Sequence, residues 1–127
     1  MSMNKANRKD LTAARAVLEK LADFANLETM TNAAIMTDLE TAQSVIDTLA
    51  EGEREKFDNM SEGLQTSETG QQLEVSADAL ETASSEIADA VSAVGSPDVA
   101  NEDRSDDELQ SIADCVESAL DEIDSIL

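Results

Sequence analysis

Residues 71–94 read QQLEVSADALETASSEIADAVSAV, and their spacing decides the fold class. Leu73, Ala77, Leu80, Ser84, Ile87, Val91 and Val94 alternate steps of four and three, one stripe down one side of a helix. Sustained over three heptads, the pattern suits coiled-coil-like packing. Gly95-Ser96-Pro97 ends the run, because Gly favours the position after a helix and Pro cannot continue one.

Working outward, the same periodicity returns on both sides. Downstream, Ser105-Asp-Asp-Glu108 reads as a capping box, with acids suited to a helix start. Leu109, Ile112, Val116, Ala119, Ile123 and Ile126 carry a stripe to the terminus, and Leu120 and Leu127 widen it. Upstream, a helix over 31–60 places Ile35, Leu39, Ala42, Ile46 and Leu49 in line, followed by a polar gap at Glu53 and then Phe57 and Met60. Gly52 predicts a bend or break there, since a mid-helix Gly costs about 1 kcal/mol relative to Ala. The first helix is expected over 10–28 with Asp10 as its N-cap, burying Leu11, Ala14, Leu18, Leu21 and Ala25, with Glu28 in register and Val17 and Phe24 alongside. Residues 1–9, with Lys5, Arg8 and Lys9, read as a flexible basic tail.

No alternating strand pattern occurs. The expected fold is all-α, an antiparallel helical bundle or extended helical hairpins in a single domain over 1–127. Its centre is KFDNMSEGLQTSETG, residues 56–70. Gly63 and Gly70 permit a corner over 62–70, Ser67 and Thr69 can cap the next helix, and Phe57, Met60 and Leu64 are expected to plug the bundle end.

Charge is the strongest compositional signal. Of 127 residues, 29 are acidic and 8 basic, for a net charge of −21. Residues 1–56 carry seven basic and ten acidic side chains, a net −3; residues 57–127 carry nineteen acids and Arg104 alone, a net −18. Such a surface repels nucleic acid and anionic membrane, and favours a basic protein. Aromatics are only 2%, so the core must be thin, built from Ala, Leu, Ile and Val; a homodimer is one way to thicken it. The polar start MSMNKANRKD lacks an apolar signal region, and no stretch has the length of a membrane span, so the expected location is the cytoplasm.

The chemistry of catalysis is missing. With no His, the commonest general base and metal ligand is absent. Cys115 sits between Ile112 and Val116 and reads as a core-flanking residue without a nearby cation to stabilise a thiolate. No phosphate loop or nucleophile elbow occurs. The acids of 101–108 lack the glycine and spacing of a calcium loop and read as helix-start acids. Neither enzyme activity, cofactor nor metal is expected.

Residues 55–83, EKFDNMSEGLQTSETGQQLEVSADALETA, resemble a group of small acidic helical proteins of tailed bacteriophages and prophages. The shared elements are a KFDN-like helix end, an EGLQ-type turn with a Ser-Glu-Thr-Gly stretch, and an acidic Ala-rich helix. The resemblance implies a phage origin and a helical hairpin; it carries no activity and no functional residues. In composition and helical class the chain is also similar to phage DNA-mimic anti-restriction proteins.

Three roles follow as expectations. One is a DNA mimic that blocks a basic host protein, a nuclease or other DNA-binding protein. A helix of about 35 Å spans a length over which duplex DNA carries about 20 phosphate charges, comparable with the acidic half. The contact residues expected are Asp78, Glu81, Glu86 and Asp89 on the third long helix and Asp114, Glu117, Asp121 and Asp124 on the last, all off the stripes and hence exposed. A second role is a scaffolding or adaptor protein assembling through its apolar seam. The third is a nucleotide sponge that gathers Arg8, Lys9 and Arg15 from several copies, disfavoured by the scarcity of basic residues.

Overall fold

The structure is a computed structural model and describes residues 3–127. Its helices are α1 (Lys5–Leu21), α2 (Phe24–Thr29), α3 (Asn32–Asp58), α4 (Glu62–Gln65), α5 (Glu68–Val94) and α6 (Asp106–Asp124), with a 3-10 turn at Asn101–Asp103. No strand occurs among the described residues. α3 packs on α5, α5 on α6, α6 on α1 and α1 on α3, closing an antiparallel four-helix ring. At 27 residues each, α3 and α5 are about 40 Å long and form its spine.

The expected stripes supply the core. Leu11, Ala14, Leu18 and Leu21 of α1, Ile35, Leu39, Ala42, Ile46 and Leu49 of α3, Leu80, Ile87 and Val94 of α5, and Leu109, Ile112, Val116, Ala119 and Ile123 of α6 are all buried. The chain exposes 6753 Å², close to the ~6,500 Å² expected of a compact monomer of 13.5 kDa, so one copy closes its own core.

Four expectations are corrected. The basic tail is helical from Lys5, because Asn4 caps α1 by accepting from the Asn7 N–H at 2.8 Å and Met3 inserts into the core. Residues 1 and 2 lie outside the described residues. The first helix also breaks at Ala22–Asp23, where the Asp23 carboxylate caps α2 through the Ala25 N–H at 3.0 Å. The break resets the phase: Leu27 is buried while Ala25 and Glu28 are exposed. α3 runs straight through Gly52, and the polar gap is no gap, since Glu53 keeps the inward register of Leu49 with its side chain fully buried and accepts from Lys56 Nζ at 3.2 Å.

The corner is closed by side-chain-to-backbone hydrogen bonds and a close backbone approach, not by an apolar plug. Phe57 and Met60 are half-buried and Leu64 is 56% exposed. Instead Gln65 Nε2 donates to Phe57 O at 3.0 Å, and the Ser67 hydroxyl caps α5 by accepting from Gly70 N–H at 3.2 Å. A Cβ on Gly70 would lie 2.3 Å from Leu64 O and 2.5 Å from Gln65 O, so only Gly allows the chain to double back this closely.

At the opposite end, Gly95 takes φ +77 and turns the chain out of α5. There Arg104 donates to Asn32 Oδ1 at 3.1 Å, Leu27 O at 3.2 Å and Glu28 O at 3.3 Å. Asn32, itself buried, donates to Ser96 O at 3.0 Å. One arginine thus ties the α2–α3 junction to the α5–α6 connection.

Two glycine substitutions separate these effects. Gly52→Ala, with nothing within 4 Å of the new Cβ, should stabilise the fold by about 1 kcal/mol. Gly70→Ala should destabilise it by about 2 kcal/mol or more, because backbone must shift. Urea unfolding checks both, and equal effects would contradict the close approach at the corner. Arg104→Met should cost about 2 kcal/mol by leaving the buried Asn32 Oδ1 without its donor, lowering the Tm by roughly 5–10 °C.

Candidate functional site: the acidic face of α5 and α6

α5 carries a second stripe behind the first. Ser76, Ala79, Ala83, Glu86 and Ala90 again alternate three and four, and all but Glu86 are buried. A helix in a ring has two neighbours, so its buried arc is wider than one seam. The first stripe and its flank serve α3: Gln43 Nε2 donates to Ser84 O at 3.2 Å, and the Ser84 hydroxyl donates to Asp47. The second turns toward α6, and its small residues let the two backbones approach.

The acids singled out from the sequence divide by their partners. Asp78 and Glu81 both hold Arg54 of α3, at 2.5 and 2.6 Å. Asp124 holds Arg15 of α1 at 2.6 Å, which also reaches Glu19 at 3.1 Å. Asp114 accepts from Gln110 Nε2 at 2.8 Å within α6 and stays exposed, as do Asp89, Glu117 and Asp121.

Glu86 departs from the expectation of exposure. It occupies the inward second stripe, half-buried, and its Oε2 is sealed from solvent without a hydrogen-bond partner. Around it stand Glu122, Asp89 and Asp121. Sequence reading missed Glu122, and its place opposite Glu86 depends on the α5–α6 register, which no local signal reveals.

Titration follows from these surroundings. Burial first, then the charges of Glu122, Asp89 and Asp121, push the Glu86 carboxyl above its ordinary range. The seam therefore favours neutral Glu86: that contribution is complete below the usual Glu range near ~4.3 and is lost as pH rises through the elevated value. Asp124 behaves oppositely, held below the carboxylate range chiefly by its hydrogen bond from Arg15. Its contribution is present above the usual Asp range and lost as pH falls through the depressed value. Cys115, half-buried on α6, has its thiol pushed up by burial and then by Asp89, Asp114 and Glu86, so the thiolate is disfavoured.

Among the described residues, no three Cys, Asp or Glu side chains converge to hold a metal ion. No helix there is long and apolar enough to cross a membrane. No protein-family profile, curated protein or solved structure matches the chain. What the face offers chemically is charge: two antiparallel helices lined with carboxylates, most of them without a cation.

The Arg15 pair supplies a pH test. Asp124→Asn should melt below wild type at neutral pH, and the difference should vanish as pH falls well below ~3.9 and wild-type Asp124 becomes neutral too. Thermal melts across that range check it; a difference that persists in acid would contradict the ion pair.

Proposed function

We propose that the protein is an acidic binding protein, and that its α5/α6 face occupies the basic surface where another protein binds nucleic acid. The observation that carries this reading is the fate of the cations. Arg54 and Arg15 take Asp78, Glu81 and Asp124 into helix–helix ion pairs, while Asp89, Asp114, Glu117 and Asp121 stay exposed with no basic partner among the described residues.

Spacing supports a mimic of a nucleic-acid backbone. Along α6, Asp114, Glu117 and Asp121 recur every three or four residues, about one charge per 5 Å of helix. One strand of B-DNA carries a charge per ~3.4 Å, so one helix approaches one strand and α5 adds a second row. The net charge of −18 over residues 57–127, with the likeness in composition and helical class to phage DNA-mimic anti-restriction proteins, makes a host nuclease or other DNA-binding protein the partner class. In this role the protein touches no nucleic acid and works in the cytoplasm of the infected cell.

Affinity capture from a bacterial lysate at low and high salt tests the reading. A captured DNA-binding protein should be released by salt and by competing duplex DNA. Replacing Asp89, Asp114 and Asp121 with Asn and Glu117 with Gln should weaken binding at least ~10-fold and flatten its salt dependence. The Asp78→Asn, Glu81→Gln pair, already engaged by Arg54, should change it little. Capture that survives high salt and ignores duplex DNA would replace mimicry with assembly through an apolar surface.

A further inference from the structure

The bundle's seams are not electrically alike. α3 and α5 are joined by Arg54 to Asp78 and Glu81, by Gln43 to Ser84, by Ser84 to Asp47 and by Asn32 to Ser96 just past α5. α1 and α6 are joined by Arg15 to Asp124. Across the α5–α6 seam, Glu86 and Asp89 face Asp121, Glu122 and the Cys115 thiol. The ion pairs of the described residues are those of Arg15, Arg54 and Lys56, and none reaches Glu86, Asp89, Asp121 or Glu122.

At Glu86 the conflict is inside the packing. Ala83 and Ala90, one turn to either side, are fully buried, and one Glu86 oxygen is sealed away without a donor. A carboxylate so placed loses hydration and gains no hydrogen bond in return. The apolar seam formed with Leu109, Ile112, Val116 and Ile123 holds α6 against this repulsion. Just before Asp106 the chain is anchored by Arg104, and α6 is the helix whose main seam carries charge that no ion pair of the described residues balances.

We propose that the α5–α6 seam is a charge-sensitive latch: α6 opens as a local unit at neutral pH and low ionic strength, and closes when a proton or a counter-charge reaches Glu86 and its neighbours. The inference concerns the motion of this chain and stands apart from the identity of any partner. The elevated titration of Glu86 gives the latch its direction, with closure favoured toward mild acid, in a pH range where the Arg15–Asp124 pair is intact. A basic surface resting on the face would have the same effect as a proton.

Amide hydrogen exchange of the full chain, corrected for intrinsic rates, tests it, with α3 as internal reference. At about pH 7 and low salt, α6 amides should be at least ~10-fold less protected than those of α3. Lowering the pH to the ordinary Glu range near ~4.3, or adding about 0.5 M NaCl, should close most of that gap. Glu86→Gln, which keeps the side-chain shape without the charge, should protect α6 at both pH values and remove the response. Glu122→Gln serves as a second variant with a weaker effect in the same direction. If α6 and α3 exchange at one common rate, if salt protects all helices equally, or if both variants keep the wild-type pH response, the latch is overturned.

Discussion

A shortage of cations governs this bundle. Eight basic side chains face 29 acidic ones, and a helical ring with a thin aliphatic core brings many of those acids near one another. The basic residues with defined partners stand at closures. Arg54 ties the two long helices, Arg15 ties the first to the last, Lys56 covers the buried Glu53, and Arg104 knots the connections at one end. Exposed ion pairs of this kind contribute little stability singly, about 0–1 kcal/mol each. Their importance here is positional, because they determine which carboxylates are engaged within the fold and which are left facing outward.

The α5–α6 side is what remains when those closures are made. It combines the smallest side chains of the core, Ala79, Ala83 and Ala90, with the charges least balanced by cations. Small residues permit close helix approach, and close approach sharpens the repulsion among Glu86, Asp89, Asp121 and Glu122. Apolar burial along α6 outweighs that repulsion in the folded bundle. The same arrangement leaves an outward row of carboxylates to which a basic surface can add what the chain itself lacks.

Much of this was legible in the sequence, and the misses have physical causes. The stripes of Leu73–Val94 and Leu109–Ile126 announce the long helices because large aliphatic residues mark them. The second stripe of α5 gives no comparable signal, because Ser and Ala are equally at home on a surface. Residue type alone puts Glu53 and Glu86 outside the core, although each lies in the phase of a buried stripe. The break at Asp23 was hidden by a pattern that continues through it to Ala25 and Glu28, while the capping signals of Asn4 and Asp23 were present but weaker. Which acids would be held by arginines depends on the register between helices far apart in sequence, such as Arg15 with Asp124, and no local pattern encodes that.

The central claim is that the uncompensated face lies on α5 and α6. The measurement that tests it most directly is a two-dimensional NMR titration of the isotope-labelled chain with a short arginine-rich peptide. The account predicts that amide shifts concentrate at Asp89, Asp114, Glu117, Asp121 and their neighbours, and leave the surroundings of Asp78, Glu81 and Asp124 largely unmoved. Shifts spread evenly over all helices, or centred on α3, would contradict it, because the acidic surface would then be solvated charge with no preferred face.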